Sequence, residues 1–175
     1  MDIKPARRSD LRALIAVHDA AFGTPFEGRL VADLMAADLD AISLVASNNT
    51  ELLGHILFSP LLVEVDGEAI AALALAPLAV MPGRQNQGVG TTLMEAGLAQ
   101  ARAEGWDAVV VLGHPEYYSR FGFSPDAMRG FAAPFDGPAF MALELRKGAL
   151  SGRRGRIIYP APFGIADAPA AALAV

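Results

Sequence analysis

The chain has 175 residues, a formal net charge of -5 and no cysteine. This length suits one domain, and the absence of cysteine excludes a thiolate nucleophile, an acyl-cysteine intermediate and a cysteine metal site. The negative charge argues against nucleic acid as the main partner, since domains that bind it usually carry a basic surface. The first residues lack the apolar core of a signal peptide, and the longest apolar run, Ala69 to Met81, is too short to span a bilayer. We therefore expect a cytoplasmic protein with no membrane partner.

The first third of the chain predicts a short strand followed by two helices. Ile3 lies in the strand, and Ser9 is a candidate N-cap for the first helix. The apolar spacing predicts helices over Asp10 to Phe22 and Glu27 to Asp38. The apolar stripe of the second helix is predicted to lie in the core and consists of Leu30, Val31, Leu34 and Met35.

Three consecutive antiparallel strands are predicted next. They cover Ala41 to Ser47, Leu52 to Val65 and Glu68 to Val80, and Asp66-Gly67 is a strong hairpin signal between the last two. Pro77 lies in the third of them and has no N–H for the strand ladder. The strand is therefore expected either to end at this proline or to bulge.

The second half of the chain alternates helix and strand. Apolar or small residues at Val89, Leu93, Gly97 and Ala101 predict the buried face of a helix that Gly105 ends. The strand predicted over 107–112 then lies parallel to its predecessor, because a crossover helix joins them, so the sheet is mixed.

Shorter elements complete the predicted domain, which covers residues 1–159. They are a short helix from Pro115 to Arg120 and strands from Ala139 to Leu145 and from Gly155 to Tyr159. Pro160 to Val175 is rich in alanine and proline and is expected to be a loosely attached tail.

The turn Gln85-Asn86-Gln87-Gly88-Val89-Gly90 joins the third long strand to the following helix. Such a turn directs unpaired backbone N–H groups and the positive end of the helix dipole at one spot, which suits a phosphate. Glycine at 88 and 90 leaves room for phosphate oxygens and permits dihedral angles that other residues reach only at a cost. Taken alone, the pattern also fits an ordinary strand-to-helix turn.

Two familiar phosphate-binding patterns do not fit this turn. A Walker A loop requires a lysine after its last glycine, but Gly90 is followed by Thr91 and Thr92. A dinucleotide fingerprint requires a third glycine where Leu93 stands. It also requires an acidic residue at the end of the next strand, which reads Leu112-Gly113-His114. The third pattern, Q/R-x-x-G-x-G/A, fits at every position and is the pyrophosphate loop of the GCN5-related N-acetyltransferases (GNAT), which this turn resembles.

The resemblance extends over most of the chain from Gly54 onward. Residues 78–82 resemble the family's fourth strand, and residues 118–123 resemble its Y-x-x-x-G-F element. Residues 54–60, 111–118 and 155–159 resemble the YhbS-like branch.

Fold and cofactor follow as implications of the resemblance. It implies an α/β (α+β) fold, with a mixed, mostly antiparallel central sheet of six to seven strands flanked by about four helices. A splayed cofactor cleft is expected between strands 4 and 5. The implied co-substrate is acetyl-CoA, with no metal. Backbone groups at Leu78, Ala79 and Val80 are expected to contact pantetheine. The pyrophosphate is expected to bind the turn, whose residues are Gln85, Asn86, Gln87, Gly88, Val89, Gly90 and Thr91.

Tyr118 is the predicted catalytic acid, because it aligns with the tyrosine of the family's Y-x-x-x-G-F element. Tyr117 is the nearest alternative, and both could instead be aromatic core residues of a short helix. Acyl transfer also requires a neutral amine, yet residues 72–80 contain no ionisable side chain. A water chain is therefore the expected route for the amine's proton.

Other polar residues are weaker candidates. His55, Glu27 and Glu116 are conceivable bases, although a histidine on an apolar strand is more often a hydrogen-bonded core residue. His18, His55 and His114 show no metal-ligand spacing. A basic cluster could contact the cofactor's 3′-phosphate or be a solvated loop, and it comprises Arg146, Lys147, Arg153, Arg154 and Arg156.

The resulting functional hypothesis is transfer of an acetyl group from acetyl-CoA to a primary amine of a small molecule or protein, by direct attack in a ternary complex. The alternatives are a non-catalytic acyl-CoA-binding module and an acyltransferase that uses a longer-chain or carrier-protein thioester. In the resembled fold the acceptor is set by loops around residues 22–30 and 127–138. Phe131, Phe135 and Phe140 are either one wall of that site or core. The acceptor amine is unidentified, and a homodimer is compatible with the sequence.

Overall fold

The computed structural model describes residues 1–49, 51–152 and 154–165. Within these ranges, eight strands form one sheet whose main path runs β1-β2-β3-β4-β5-β7, with β8 pairing both β3 and β6. The strands are β1 (Asp2–Pro5), β2 (Ile42–Ser47), β3 (Leu52–Val65), β4 (Glu68–Val80), β5 (Ala108–Leu112), β6 (Phe131–Ala132), β7 (Phe140–Glu144) and β8 (Gly155–Ile158). The helices are α1 (Leu11–Phe22), α2 (Phe26–Ala36), α3 (Val89–Ala103) and α4 (Pro115–Tyr118). The predicted mixed, mostly antiparallel sheet with four helices is confirmed, although the described residues form eight strands rather than the six to seven predicted.

The chain divides into two compact units. The first comprises Met1–Ser59 and Leu75–Ala101, and the second comprises Pro60–Ala74 and the chain from Arg102 onward. The first unit therefore holds α1, α2 and nearly all of α3, and the second holds β5 to β8 and α4.

The core of the first unit follows the predicted apolar faces. The stripe of α2 is buried as predicted, with Leu34 wholly inaccessible. The predicted face of α3 is also buried, and Gly97 lies so close to the Phe58 ring that a Cβ there would collide with it. The missing side chain of Gly97 thus lets α3 pack tightly against β3.

The start of α1 differs from the prediction. Ser9 lies inside a 3-10 turn over Arg8–Asp10, and α1 begins only at Leu11. The turn is fixed by Asp10, whose carboxylate accepts the backbone N–H of Arg7 at 2.8 Å. Ser9 is therefore not the N-cap of α1, because it lies inside the 3-10 turn that the Arg7–Asp10 hydrogen bond holds in place.

The turn signals of the sequence are confirmed at two places. Gly23 ends α1 with φ 72°, and its N–H donates to the Asp19 carbonyl at 2.9 Å. Asp66 and Gly67 form the β3–β4 hairpin with φ values of 51° and 87°, both in the left-handed region. Pro77 does not end β4, which continues through the cis Ala76–Pro77 bond to Val80.

The second unit is built on β5. The N–H of Asp107 donates to the Ala71 carbonyl at 2.7 Å, so β5 starts beside the start of β4, as expected for parallel neighbours. β5 then pairs antiparallel with β7, and β8 pairs antiparallel with the end of β3. The two-residue strand β6, parallel to β8, was not predicted because two residues give no periodic signal.

The chain after β8 is described only in part. Phe163 is buried and its ring lies 5.1 Å from that of Tyr159. The remainder of the predicted tail, residues 166–175, lies outside the described residues.

Candidate functional site

The phosphate-binding turn predicted from the sequence leaves β4 and enters α3 in the first unit. Residues 82–88 are exposed, and the first intrahelical bond that begins in the turn runs from the N–H of Thr92 to the Gly88 carbonyl at 3.0 Å. The N–H groups of Val89, Gly90 and Thr91 precede that bond, so α3 offers them no carbonyl one turn back. Together with the helix dipole they form a positive end that suits an anion.

Backbone conformation explains one of the two glycines. Gly88 has φ 84°, and a Cβ built on it would meet nothing within 4 Å. Its role in this structure is therefore the left-handed backbone that starts α3. Asn86 also has a positive φ of 59°, which asparagine tolerates better than most residues, and the sequence pattern did not reveal this.

Side-chain interactions hold the turn together and tie it to the end of β4 and to the residue before β3. The Gln85 amide donates to the Val80 carbonyl at 3.2 Å, and the Gln87 amide donates to the Gly83 carbonyl at 3.1 Å. Arg84 forms an ion pair with Glu51, which lies just before β3. Gln85 thus shapes the loop through its side chain, a role that the sequence pattern alone did not assign.

The strand segment that leads into the turn is closely packed. Ala79 is buried, while Leu78 and Val80 are partly exposed. A Cβ built on Gly54 would lie 2.8 Å from the Ala79 carbonyl oxygen, with Val89 and Leu93 also within 3.2 Å. Gly54 therefore lets β3, β4 and the first turn of α3 come together, and so fixes the position of the turn.

Tyr118, the predicted acid, lies at the end of α4 in the second unit. Its ring packs against the backbone of Gly113, where any Cβ would collide with it, and its centroid lies 5.8 Å from that of Phe123. Burial, with a smaller contribution from Tyr117, raises the pKa of Tyr118 to about 12. The phenol therefore keeps its proton at neutral pH.

Tyr117 lies beside Tyr118, with ring centroids 5.0 Å apart. The Arg120 guanidinium lies 4.7 Å from the centre of the Tyr117 ring, in cation–π geometry. This contact gives Tyr117 a structural role in the turn that follows α4.

The candidate base His55 lies in a buried hydrogen-bonded chain. Its Nδ1 is 2.8 Å from Nε2 of His18, and its Nε2 is 2.8 Å from Oγ of Ser43. Both rings are inaccessible, and burial lowers the pKa of His18 to about 4 and that of His55 to about 3. His55 is thus the hydrogen-bonded core residue that its apolar strand indicated. The sequence spacing had not shown that the fold would bring His18 and His55 together.

The other candidate bases are occupied or exposed. Glu27 accepts a hydrogen bond from Thr24 Oγ1 at 2.9 Å, and Glu116 lies exposed in the first turn of α4. Among the residues that the structure describes, no three His, Cys, Asp or Glu side chains gather in a group that could hold a metal.

The basic cluster of the second unit is partly neutralised. Arg146 pairs with Asp107 at 2.6 Å and lowers the pKa of that carboxyl, while Arg156 pairs with Glu64 at 3.1 Å. Arg153, a further member, lies outside the described residues. In the same unit Phe140 is buried, and Phe135 packs between Phe140 and Tyr159, so these two rings belong to an aromatic cluster.

Comparison with known proteins agrees with the fold. Residues 2–125 match the family described as Acetyltransferase (GNAT) domain. This chain belongs to the GNAT family of acetyltransferases. Within the described ranges, none of the helices of this GNAT protein has the length and apolar character needed to cross a bilayer.

Two curated relatives from Escherichia coli strain K12 are similar over most of the chain. The uncharacterized N-acetyltransferase YjhQ is 38% identical over 134 residues, which is 75% of this chain and 74% of YjhQ. The uncharacterized N-acetyltransferase YhbS is 34% identical over 157 residues, which is 88% of this chain and 93% of YhbS. The predicted likeness to the YhbS-like branch is confirmed.

Solved structures show the same fold with ligands bound. YhbS from Escherichia coli in complex with CoA has a TM-score of 0.84 and a sequence identity of 32% with this chain. The matched region is 93% of this chain and 91% of the YhbS chain. A GNAT acetyltransferase from Brucella melitensis in complex with acetyl-CoA has a TM-score of 0.76 and a sequence identity of 34% with this chain. The matched region is 93% of this chain and 97% of the Brucella chain.

Proposed function

We propose that this chain transfers an acetyl group from acetyl-CoA to a primary amine of a small molecule or protein, by direct attack of the amine in a ternary complex. The CoA and acetyl-CoA complexes of the two similar structures support this donor. Direct attack is supported by the absence of cysteine, because no thiolate is present to hold the acetyl group as an acyl-enzyme.

The turn from Gln85 to Thr91 is the observation on which this proposal depends. It presents the first-turn amides of α3 and the positive helix end at an exposed, glycine-bearing loop. A diphosphate carries the negative charge that such a helix end stabilises. The proposed pyrophosphate contacts are therefore backbone N–H groups of this turn.

The pantetheine arm is proposed to follow the end of β4. Backbone groups at Leu78, Ala79 and Val80 are the proposed partners. They end the strand that leads into the turn, so their peptide groups can bond to the part of the cofactor next to the diphosphate. The Val80 carbonyl already accepts the Gln85 amide, and it retains a second lone pair for a further donor.

Tyr118 is proposed to donate a hydrogen bond to the sulfur that leaves during transfer. Its pKa of about 12 keeps the phenol protonated. The thiolate of a thiol with a pKa near 8.5 is a weaker base than the Tyr118 phenolate by about 3.5 pKa units, or roughly 5 kcal/mol, so complete proton transfer from Tyr118 to the sulfur is unfavourable on its own. The Tyr118 proton is therefore expected to move to the sulfur only as the amine nitrogen, which becomes positively charged once it has attacked the thioester, releases a proton.

The acceptor must also lose a proton before it attacks. An alkyl amine with a pKa near 10.4 costs roughly 4 kcal/mol to deprotonate at neutral pH. Residues 72–80 contain no ionisable side chain and His55 is buried. We propose that solvent water receives this proton.

Gly88→Asp tests the donor site. The new carboxylate would lie at the start of α3, and one pair of like charges about 5 Å apart costs roughly 3 kcal/mol at an effective dielectric constant of about 20. Calorimetric titration should show acetyl-CoA affinity reduced by about two orders of magnitude.

Gly105→Asp is the matched control. Gly105 has φ 82°, has open space around its Cβ position and follows the opposite end of α3, so the same change brings the same backbone strain and charge. Its affinity should stay within about twofold of the parent protein. Equal affinity for Gly88→Asp and the parent would show that the diphosphate binds elsewhere.

The lack of an ionisable side chain in residues 72–80 is also compatible with an acyl-CoA-binding module without turnover. The two functions differ in one measurement. An enzyme releases CoA only when an amine is present, whereas a binding module shows saturable acetyl-CoA binding and no amine-dependent release.

A further inference from the structure

Tyr118 lies at the end of an element that is too short to fix its orientation alone. α4 has four residues, and the 3-10 turn Ser119–Phe121 follows it directly and ends at Gly122, whose φ is 92°. Forming a single helical turn fixes several backbone angles for one hydrogen bond, so such a turn is not stable by itself. The direction of the Tyr118 ring is therefore set by the groups packed around it.

The Tyr118 ring is contacted from several sides, all within the second unit. It lies against the backbone of Gly113, and the centroid of the Phe123 ring is 5.8 Å from its own. The Tyr117 ring meets it edge to face, with the centroids 5.0 Å apart. Gly113 and Phe123 lie outside α4, so Tyr117 is the neighbour that shares the helical turn with Tyr118.

Arg120 holds Tyr117 by its ring and by its backbone. The guanidinium carbon lies 4.7 Å from the centre of the Tyr117 ring and 5.6 Å from that of Phe121, and the two rings are 5.4 Å apart. The Nε–H of Arg120 also donates to the Tyr117 carbonyl at 3.3 Å. Carbonyls in the last turn of a helix lack helical partners, and arginine side chains commonly bind them.

We propose that Arg120 is a positioning residue for acetyl transfer: by fixing the Tyr117 ring, it holds the Tyr118 phenol in the direction needed to hydrogen-bond the leaving sulfur. Arg120 acts through packing, since burial and Tyr117 are what raise the pKa of Tyr118. It contacts none of the reacting atoms, so its loss affects turnover only through Tyr118. This inference rests on the proposed acetyltransferase function and on the proposed role of Tyr118.

A double-mutant cycle on Arg120 and Tyr118 tests the inference. The kcat is measured as CoA release with 2-phenylethylamine, ethanolamine and a lysine-containing peptide, and acetyl-CoA affinity is measured by calorimetric titration. Arg120→Ala should reduce kcat by about tenfold, because a small misplacement of a catalytic group is costly, and should leave affinity within about twofold of the parent. In the Tyr118→Phe protein the same change should alter kcat by less than about twofold, since no phenol remains to be positioned.

Arg102→Ala is the matched control, because Arg102 is an exposed arginine in the last turn of α3 and belongs to the same unit. It should leave kcat and affinity within about twofold of the parent. Arg120→Met provides a second variant if Arg120→Ala fails to fold. It keeps an apolar stem over the rings but loses the charge and the Nε–H donor, so it should lower kcat in the parent and not in Tyr118→Phe.

Failure of the inference can be distinguished from failure of the proposed function. An unchanged kcat in Arg120→Ala would overturn the inference, and so would an equal reduction of kcat in the parent and in the Tyr118→Phe protein. Either result leaves acetyl transfer established, because the parent releases CoA in the same assay. Absence of CoA release by the parent with every amine would overturn both.

Discussion

The buried His18–His55 pair predicts a specific sensitivity to acid. Both rings are inaccessible in the folded chain, and burial lowers their pKa values to about 4 and about 3. In the unfolded chain each imidazole has a pKa near 6.5. Below pH 6.5 the unfolded state therefore binds more protons than the folded state, and stability falls as the pH falls.

The expected size follows from these pKa values. At pH 5 the unfolded state gains about 1.5 pKa units, or about 2 kcal/mol, for each histidine that the folded state keeps neutral. The two together should reduce the free energy of unfolding by about 4 kcal/mol between pH 7.5 and pH 5. Asp10 and Asp107 contribute little to this difference, because their lowered pKa values keep them charged in the folded state and an unperturbed aspartate is already largely charged in the unfolded state at pH 5.

Urea denaturation at the two pH values measures this difference, with fluorescence of Trp106, the single tryptophan, as the probe. His18→Gln retains hydrogen-bonding capacity towards His55 but removes one titrating group, so the pH-dependent difference should fall to about 2 kcal/mol. His114→Gln is the control, because His114 is exposed, and it should keep the full difference.

A difference below about 1 kcal/mol in the parent protein would refute the reasoning. The same value in the parent and in His18→Gln would refute it as well. Either result would mean that the histidines are not held neutral by burial at pH 5.

Two further substitutions test other parts of the structure. Tyr118→Phe should reduce kcat by about a hundredfold, while its affinity for acetyl-CoA should stay within about threefold of the parent. Tyr117→Phe is the control and should change kcat far less. Unchanged turnover in Tyr118→Phe would contradict the proposed role of Tyr118 as the acid. Gly97→Ala places a methyl group against the Phe58 ring. Overpacking should destabilise the chain by about 1–2 kcal/mol in urea denaturation, despite the better helix propensity of alanine, and a more stable variant would contradict the close helix–strand contact.

Local signals in the sequence predicted most of the fold. Asp66-Gly67 has the left-handed backbone that its hairpin requires, and Gly23 ends α1 where expected. The face of α3 from Val89 to Ala101 is buried because its spacing matches the helical period. These features depend on neighbouring residues alone, so one sequence is enough to find them.

Features that depend on distant residues were not predictable in the same way. The His18–His55–Ser43 chain joins residues 37 and 12 positions apart, and only the packing of α1 on the sheet brings them together. Because Gly113 has no side chain, the Tyr118 ring can lie against its backbone, and no local sequence pattern indicates which side chain occupies that space. Within the candidate site, the sequence located the glycine-bearing turn between β4 and α3, whereas the side-chain bonds that fix the shape of this turn required the structure.

Amine-dependent CoA release tests the central claim most directly. Purified protein with acetyl-CoA and a panel of primary amines should release thiol in proportion to amide formed, and Gly88→Asp should require a much higher acetyl-CoA concentration for the same rate. Saturable acetyl-CoA binding without thiol release for any amine would contradict the enzymatic account and leave an acyl-CoA-binding module.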